Sequence, residues 1–429
     1  MTKIIAIALL LSALPASAAA QATEADRRIA FYQQQLQHRP YDSGAYHRLG
    51  DAYVQKSRES GDVTYFDLAE QALQKALALA PKNGGASRHL AYVFYLRHDF
   101  DGAARQALAA LEVDGSDAAA YGVLGDACLE SGKYAEAEAA YRKMIALEGD
   151  LYAYSRVAGL KSVRGNVAAA VEDLDLGIRH GKAAAVPAES LAWAEWQLGN
   201  EYYMVGKLSE AEAHYGEALN TYPNYYRALA GLAQVRMGQA RYAEAIELYR
   251  KALAVIPMPE YAAALGDLYA KSGRPEEARR QYDLVEYIGR LNTLNRVLYN
   301  RELAYFYADH DIKPKEGLEL ARRELEYRRD IYAYDVLAWN LYRNDKTEQA
   351  RDAIVEALKL GTKDPKLFFH AGMIYDRLGE REKAREYLSR ALAGNPRFHI
   401  FFADEAVRAL ATMNHAADGA IVQRSGDGE

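Results

Sequence analysis

A small residue recurs ten times along this 429-residue chain, at Gly50, Ala91, Gly125, Ala158, Gly199, Ala233, Gly266, Ala304, Ala338 and Gly372. The spacings are 41, 34, 33, 41, 34, 33, 38, 34 and 34 residues. A second series keeps step with it: Ala69, Ala103, Ala137, Ala170, Ala211, Ala245, Ala278, Gly317, Ala350 and Ala384. It lags by twelve or thirteen residues in every unit except the first, where Ala69 lags by nineteen. A fixed period of this length marks a stack of like supersecondary units, each touching only its neighbours, rather than one globular core.

Two small residues per unit fit a pair of antiparallel helices, A and B, because a bulky side chain at their crossing would hold the backbones apart. In the cleanest unit, Leu198 and Tyr202 on helix A and Tyr215 on helix B fill the space around the crossing, with Ala218 beside them. Gly206 ends helix A in a left-handed conformation that only glycine adopts cheaply, and Pro223 stops helix B. Gly132, Gly165, Gly273 and Gly379 hold the same turn position, and Pro81, Pro257 and Pro396 the same stop.

The stretches "WQLGNEYYMVGKLSEAEAHYGEALNTYP", "LGDLYAKSGRPEEARRQY" and "HAGMIYDRLGEREKAREYLSRALAGNP" resemble the tetratricopeptide repeat family, whose pattern runs Trp, Leu-Gly, Tyr, Ala, aromatic, Ala, Pro. Ten such units cover residues 43–398. The resemblance implies an all-α solenoid of about ten helix pairs in a right-handed superhelix. Gly317 and Gly177 depart from the usual pattern, and their units are expected to pack loosely.

Residues 1–20 read as an export signal: Lys3, an apolar run from Ile4 to Leu14, and Ala16-Ser17-Ala18 before a cleavage point at Ala18 or Ala20. The run is too short to span a bilayer, and no later stretch is long and apolar enough to do so, so the expected location is periplasmic or secreted. Residues 21–42 read as an N-terminal capping helix. The array divides into 43–185 and 186–398, residues 399–413 form a C-terminal cap, and 414–429 a polar tail. Three insertions break the period. The first, within Gln55–Thr64, lengthens the A-to-B turn of unit one; the others, at 179–190 and around 286–296, fall between units.

Half the residues are apolar and the net charge is −6, which suits a long helical array and disfavours nucleic acid. The single cysteine, Cys128, falls on the inward side of a helix A and reads as a small buried apolar residue. The ten histidines show no metal-binding or catalytic spacing, and His98 and His310 read as polar turn residues. Phosphate-cradling and nucleophile-elbow motifs are absent. The carboxylates and the run "RRELEYRR" at 322–329 read as solvated helix faces. No cofactor, metal or catalytic residue is expected, and the chain does not read as an enzyme.

The resemblance implies that helix A positions 2, 5, 9 and 12 line a concave groove. Here these positions hold Arg88, Tyr92, Tyr95, Trp193, Trp196, Asn200, Tyr203, Arg227, Gln234, Arg301, Tyr305, Tyr332, Asp335, Trp339, Tyr342 and Phe369, including all three tryptophans. Tyr, Trp and Arg bury large area at low entropic cost while keeping a polar handle. Asn200 and Gln234 stand where relatives that hold extended peptides place an amide against the ligand backbone. The cationic set that clamps a peptide's C-terminal carboxylate in other relatives is not matched. The expected role is a non-catalytic scaffold that holds an extended segment of a protein partner in cell-envelope assembly. The alternative is a polysaccharide-handling scaffold of exopolysaccharide export, since stacked aromatics also suit sugar rings.

Overall fold

The computed structural model describes residues 23–294 and 300–413 and is all-α, without a strand among the described residues. Helix α1 (Glu24–His38) precedes ten antiparallel pairs. These are α2 (Ser43–Ser60) with α3 (Thr64–Leu79), α4 (Gly84–Leu96) with α5 (Phe100–Val113), and α6 (Ala118–Glu130) with α7 (Tyr134–Leu147). Next come α8 (Leu151–Val163) with α9 (Val167–Ala183), α10 (Ala188–Met204) with α11 (Leu208–Thr221), and α12 (Tyr226–Gly238) with α13 (Tyr242–Val255). The last four are α14 (Pro259–Lys271) with α15 (Pro275–Leu294), α16 (Asn300–Asp309) with α17 (Pro314–Tyr327), α18 (Ile331–Arg343) with α19 (Thr347–Leu358), and α20 (Pro365–Arg377) with α21 (Arg381–Gly394). A final helix, α22 (402–413), covers the end. The expected signal at 1–20 and tail at 414–429 lie outside the described residues.

Local chemistry sets each helix start and stop. Asp42, Asn83, Asp117, Asp150 and Asp330 each accept a backbone N–H of the first turn, at 2.7–3.0 Å, and so cap the A helices of five units. Gly132, Gly165, Gly206, Gly273 and Gly379 end A helices at φ between 72° and 77°.

The small crossing residues do what their spacing implies, with an added detail. The ring of Tyr215 lies flat against Gly199, where an added Cβ would overlap it, and its hydroxyl donates to Asn200 Oδ1 at 2.7 Å. Tyr141 sits on Gly125 and donates to Asp126, and Tyr282 sits on Gly266 and donates to Asp267, both at 2.9 Å. Glycine at the crossing therefore admits a tyrosine whose hydroxyl is satisfied by the next residue of helix A.

Four expectations change. The first insertion does not lengthen the A-to-B turn, because α2 continues to Ser60, and the other two likewise add helical turns, α9 and α10 each being 17 residues long and α15 20. The units around Gly177 and Gly317 are not loose: a Cβ at Gly177 would lie 3.0 Å from Tyr154 Cβ, and one at Gly317 would overlap Asn340 Oδ1. The run 322–329 is not wholly solvated: Arg328 is buried, pairs with Glu130 at 2.7 Å and Glu324 at 3.1 Å, and lies over the Phe100 ring. His310 is more than a turn residue: its Nε2 lies 2.7 Å from Asp267 Oδ1 and ties unit eight to unit seven. Cys128 is buried, and burial pushes its thiol up.

The superhelix is wound tightly enough that distant units touch. The A-to-B turn of one unit abuts the end of the B helix five units later. Gly61 meets Ile256, Gly132 meets Arg329, Gly165 meets Gly361, and Gly206 meets Gly394 and Asn395. Arg329 N donates to Glu130 O at 2.8 Å, Asn395 Nδ2 donates to Tyr203 O at 2.8 Å, and Arg58 pairs with Glu189. The concave face is thereby drawn together into an interior.

The end helices bury apolar faces as expected of caps. Ile29, Tyr32 and Leu36 of α1 pack on the first unit, and Phe402, Ala406 and Met413 of α22 close the last.

Candidate functional site

Two cavities of about 550 Å³ and 450 Å³ occupy this interior, and Arg227 belongs to the walls of both. One position per repeat, six residues before the small crossing residue of helix A, supplies much of the lining: Tyr152, Trp193, Arg227, Glu260, Tyr332 and Lys366. In an A helix that position lies on the same side as those three and seven residues later, so each repeat projects one stripe inward.

The larger cavity is walled by Trp196, Asn200, Tyr203, Gln234, Tyr261 and Tyr332, with Glu201, Glu260, Asp364 and Lys366. Lys366 is neutralised by Asp309 at 2.9 Å. Among the described residues Glu201 accepts a hydrogen bond from the Ser162 hydroxyl alone, at 2.9 Å, and burial away from water pushes its carboxyl up to about 7. Glu260 opens onto the cavity, yet the protein crowded around it and the nearby Glu302 push its carboxyl up to about 7 as well. Asn200 Oδ1 is taken by Tyr215, which leaves its amide hydrogens as the donors for a ligand.

The smaller cavity presents the faces of Tyr92, Tyr95, Trp193 and Tyr226. Its charges are largely paired internally: Arg58 with Glu189, and Arg156 with Asp126 at 2.9 Å. Tyr152 donates to Ser190 Oγ at 3.1 Å. Gly159 stands where other units carry Asp, Asn, Gln, Tyr, Trp or Met, and among the described residues no atom outside its own helix backbone lies within 4 Å of where its Cβ would be.

Of the groove residues read from the sequence, Tyr92, Tyr95, Trp193, Trp196, Asn200, Tyr203, Arg227, Gln234 and Tyr332 meet around these cavities. The rest do not. Arg88 is held by Asp117 at 3.0 Å, Arg301 by Asp330 at 2.7 Å, and Tyr305 donates to Asp335 Oδ2 at 2.7 Å under the Lys366 ammonium. Trp339, Tyr342 and Phe369 are buried. Trp339 stacks on Tyr342 and His370 and donates its indole N–H to Asp309 at 2.9 Å. The physical reason is that α18 and α20 press against each other and against α22, whose Phe402 stacks on Phe369 at 4.6 Å. Asp335, likewise fully buried, accepts from Tyr305 and lies 2.9 Å from His370 Nδ1.

Sequence reasoning missed Arg58, Tyr152, Arg156, Glu201, Glu260, Asp364 and Lys366, and it placed the carboxylates on solvated faces. The six-residue offset would have revealed Tyr152, Glu260 and Lys366. Among the described residues no group of three His, Cys, Asp or Glu side chains is placed to hold a metal, and no helix is long and apolar enough to cross a membrane.

Family models of the tetratricopeptide repeat match residues 202–268 and, for a second model, 97–152 and 336–397. A CTR9 homolog of Arabidopsis thaliana is 27% identical over 209 residues, 46% of this chain and 19% of that protein. A TPR repeat-containing protein of Methanocaldococcus jannaschii is 30% identical over 115 residues, 25% of this chain and 20% of that one. The chain thus matches about a fifth of each relative's length. Among solved structures, a monomeric mutant of IFIT1 with Gppp-AAAA aligns over 85% of this chain and 75% of that one, at TM-score 0.41 and 14% identity. The yeast Tom70 aligns over 93% of each chain, at TM-score 0.37 and 13% identity.

Proposed function

Since this chain is a tetratricopeptide repeat protein, a scaffold suited to binding other proteins, we propose that it holds an extended segment of a protein partner inside its superhelix and performs no chemistry on it. The observation that carries this reading is the pair of interior cavities, where half-buried Trp193 and Trp196 and the amides of Asn200, Gln197 and Gln234 line one continuous inner wall. Aromatic faces supply area, and amides suit the hydrogen-bonding groups of a peptide backbone. Residues 1–20 support a site of action in the cell envelope, where such a scaffold would serve complex assembly.

A photo-crosslinking residue placed at Tyr332, inside the larger cavity, tests the reading against one placed at Leu108 on the outer surface. Crosslinks to protein from position 332 and none from 108 are expected. Crosslinks from 108 alone would overturn it, and glycan adducts from 332 would favour polysaccharide handling.

A further inference from the structure

Arg227 sits at the waist between the two cavities and differs from the other interior arginines. Arg58, Arg88, Arg156, Arg301 and Arg328 each face a carboxylate in an ion pair. Arg227 has no ion pair or hydrogen bond among the described residues. Its guanidinium lies over two aromatic faces instead, 5.0 Å from the Trp196 ring centre and 5.2 Å from that of Tyr226. Stacking of this kind fixes a guanidinium in plane and leaves its N–H fork unspent. None of the acids that share its larger cavity, Glu201, Glu260 and Asp364, forms an ion pair with it among the described residues, although Glu260 stands near enough to attract it, and burial pushes all three carboxyls up.

A second observation points to a ligand at the same place. In the smaller cavity Ser155 Oγ, in a residue only 1% exposed, and Gln197 Oε1 lack hydrogen-bond partners among the described residues. Buried polar atoms left without partners are costly, and these two belong to the same cavity wall as Arg227, with open space over Gly159.

Resting on the peptide reading above, we infer that Arg227 anchors an internal acidic side chain of the bound segment, whose flanking backbone satisfies Ser155 and Gln197. A planar carboxylate matches the guanidinium fork in two parallel hydrogen bonds, which an amide of equal shape cannot supply with the same strength. Ser155 and Gln197 can then take the N–H groups next to that side chain.

The test uses the full chain and labelled octapeptide pools, acetylated and amidated so that no terminal charge competes, with random flanks and either Glu or Gln fixed at the centre. Fluorescence anisotropy should show the Glu pool binding about tenfold or more tighter than the Gln pool. Arg227→Gln should erase that preference, and Arg227→Lys, which keeps the charge and loses the fork, should retain part of it. Equal binding of both pools to the unmodified protein would overturn the acidic anchor while leaving the peptide reading in place. A preference that survives in Arg227→Gln would overturn it too. Binding of an oligouronate with neither pool bound, or no binding by any probe, would overturn the anchor together with the peptide reading. The comparison of pools on the unmodified protein decides the matter even if a variant fails to fold.

Discussion

A Cβ added to Gly165 would overlap the carbonyl oxygen of Gly361, five repeats further along the array. Glycine takes the positive φ of this turn at least cost, although His98, Ala240 and Asp345 hold it in other units, and here the same glycine also lets one layer of the superhelix rest on the next. Two demands made on one residue can be separated by comparing turns that make only the first. Gly273 and Gly379 share the left-handed conformation and have no atom within 4 Å of an added Cβ.

Asparagine tolerates the left-handed region, so Gly379→Asn should cost about 1 kcal/mol or less. Gly165→Asn and Gly132→Asn carry the same conformational cost plus a collision with backbone, and should cost several kcal/mol or force the layers apart. Urea melts read the first effect, and the radius of gyration in solution reads the second. Equal behaviour of Gly165→Asn and Gly379→Asn would show that the layers do not touch.

Trp339→Ala should cost about 3–5 kcal/mol, because it opens a cavity among Tyr342, Phe369, His370 and Phe402 and strips Asp309 of its indole donor. Trp193→Ala and Trp196→Ala remove half-buried rings from cavity walls and should cost clearly less. Thermal melts check the order, and acrylamide should quench the fluorescence of Trp193 and Trp196 while sparing that of Trp339.

Glu201 gives the stability a defined pH dependence. Its folded pKa of about 7 lies above the usual 4.5, so between those values the folded chain keeps a proton that the unfolded chain has lost. Stability therefore falls as pH rises through that window and is flat, for this group, on either side. Glu201→Gln keeps an acceptor for Ser162 and removes the charge. Its melting temperature should match that of the unmodified protein at pH 4 and exceed it at pH 8. A constant difference at both pH values would contradict the assignment.

What could be read from the sequence was whatever one repeat decides alone. The helix pairs, the glycine turns, the proline stops and the small crossing residues all follow from local spacing, and the structure shows each of them. What could not be read was set by the pitch of the superhelix. Trp339 and Trp193 occupy comparable stripes of helix A, yet one is sealed between α18, α20 and α22 and the other faces a cavity, because the array ends in a cap beside the first. Arg328 looked like part of a solvated face because its partner, Glu130, is five units away in the chain. Contacts across superhelical layers leave no periodic trace, since they pair residues from units that are unrelated in local pattern.

The central claim, that the layers close the concave face into an interior, is tested most directly by spin labels at Ser131→Cys and Arg329→Cys. The Arg329 backbone N–H donates to the carbonyl of Glu130, the residue before Ser131, at 2.8 Å, and the native Cys128 is buried and so shielded from labelling. Electron paramagnetic resonance of the doubly labelled protein should show strong dipolar broadening that is absent from either single label. Spectra of the double label that equal the sum of the singles would mean that the superhelix is open at this layer, and the interior site would not exist.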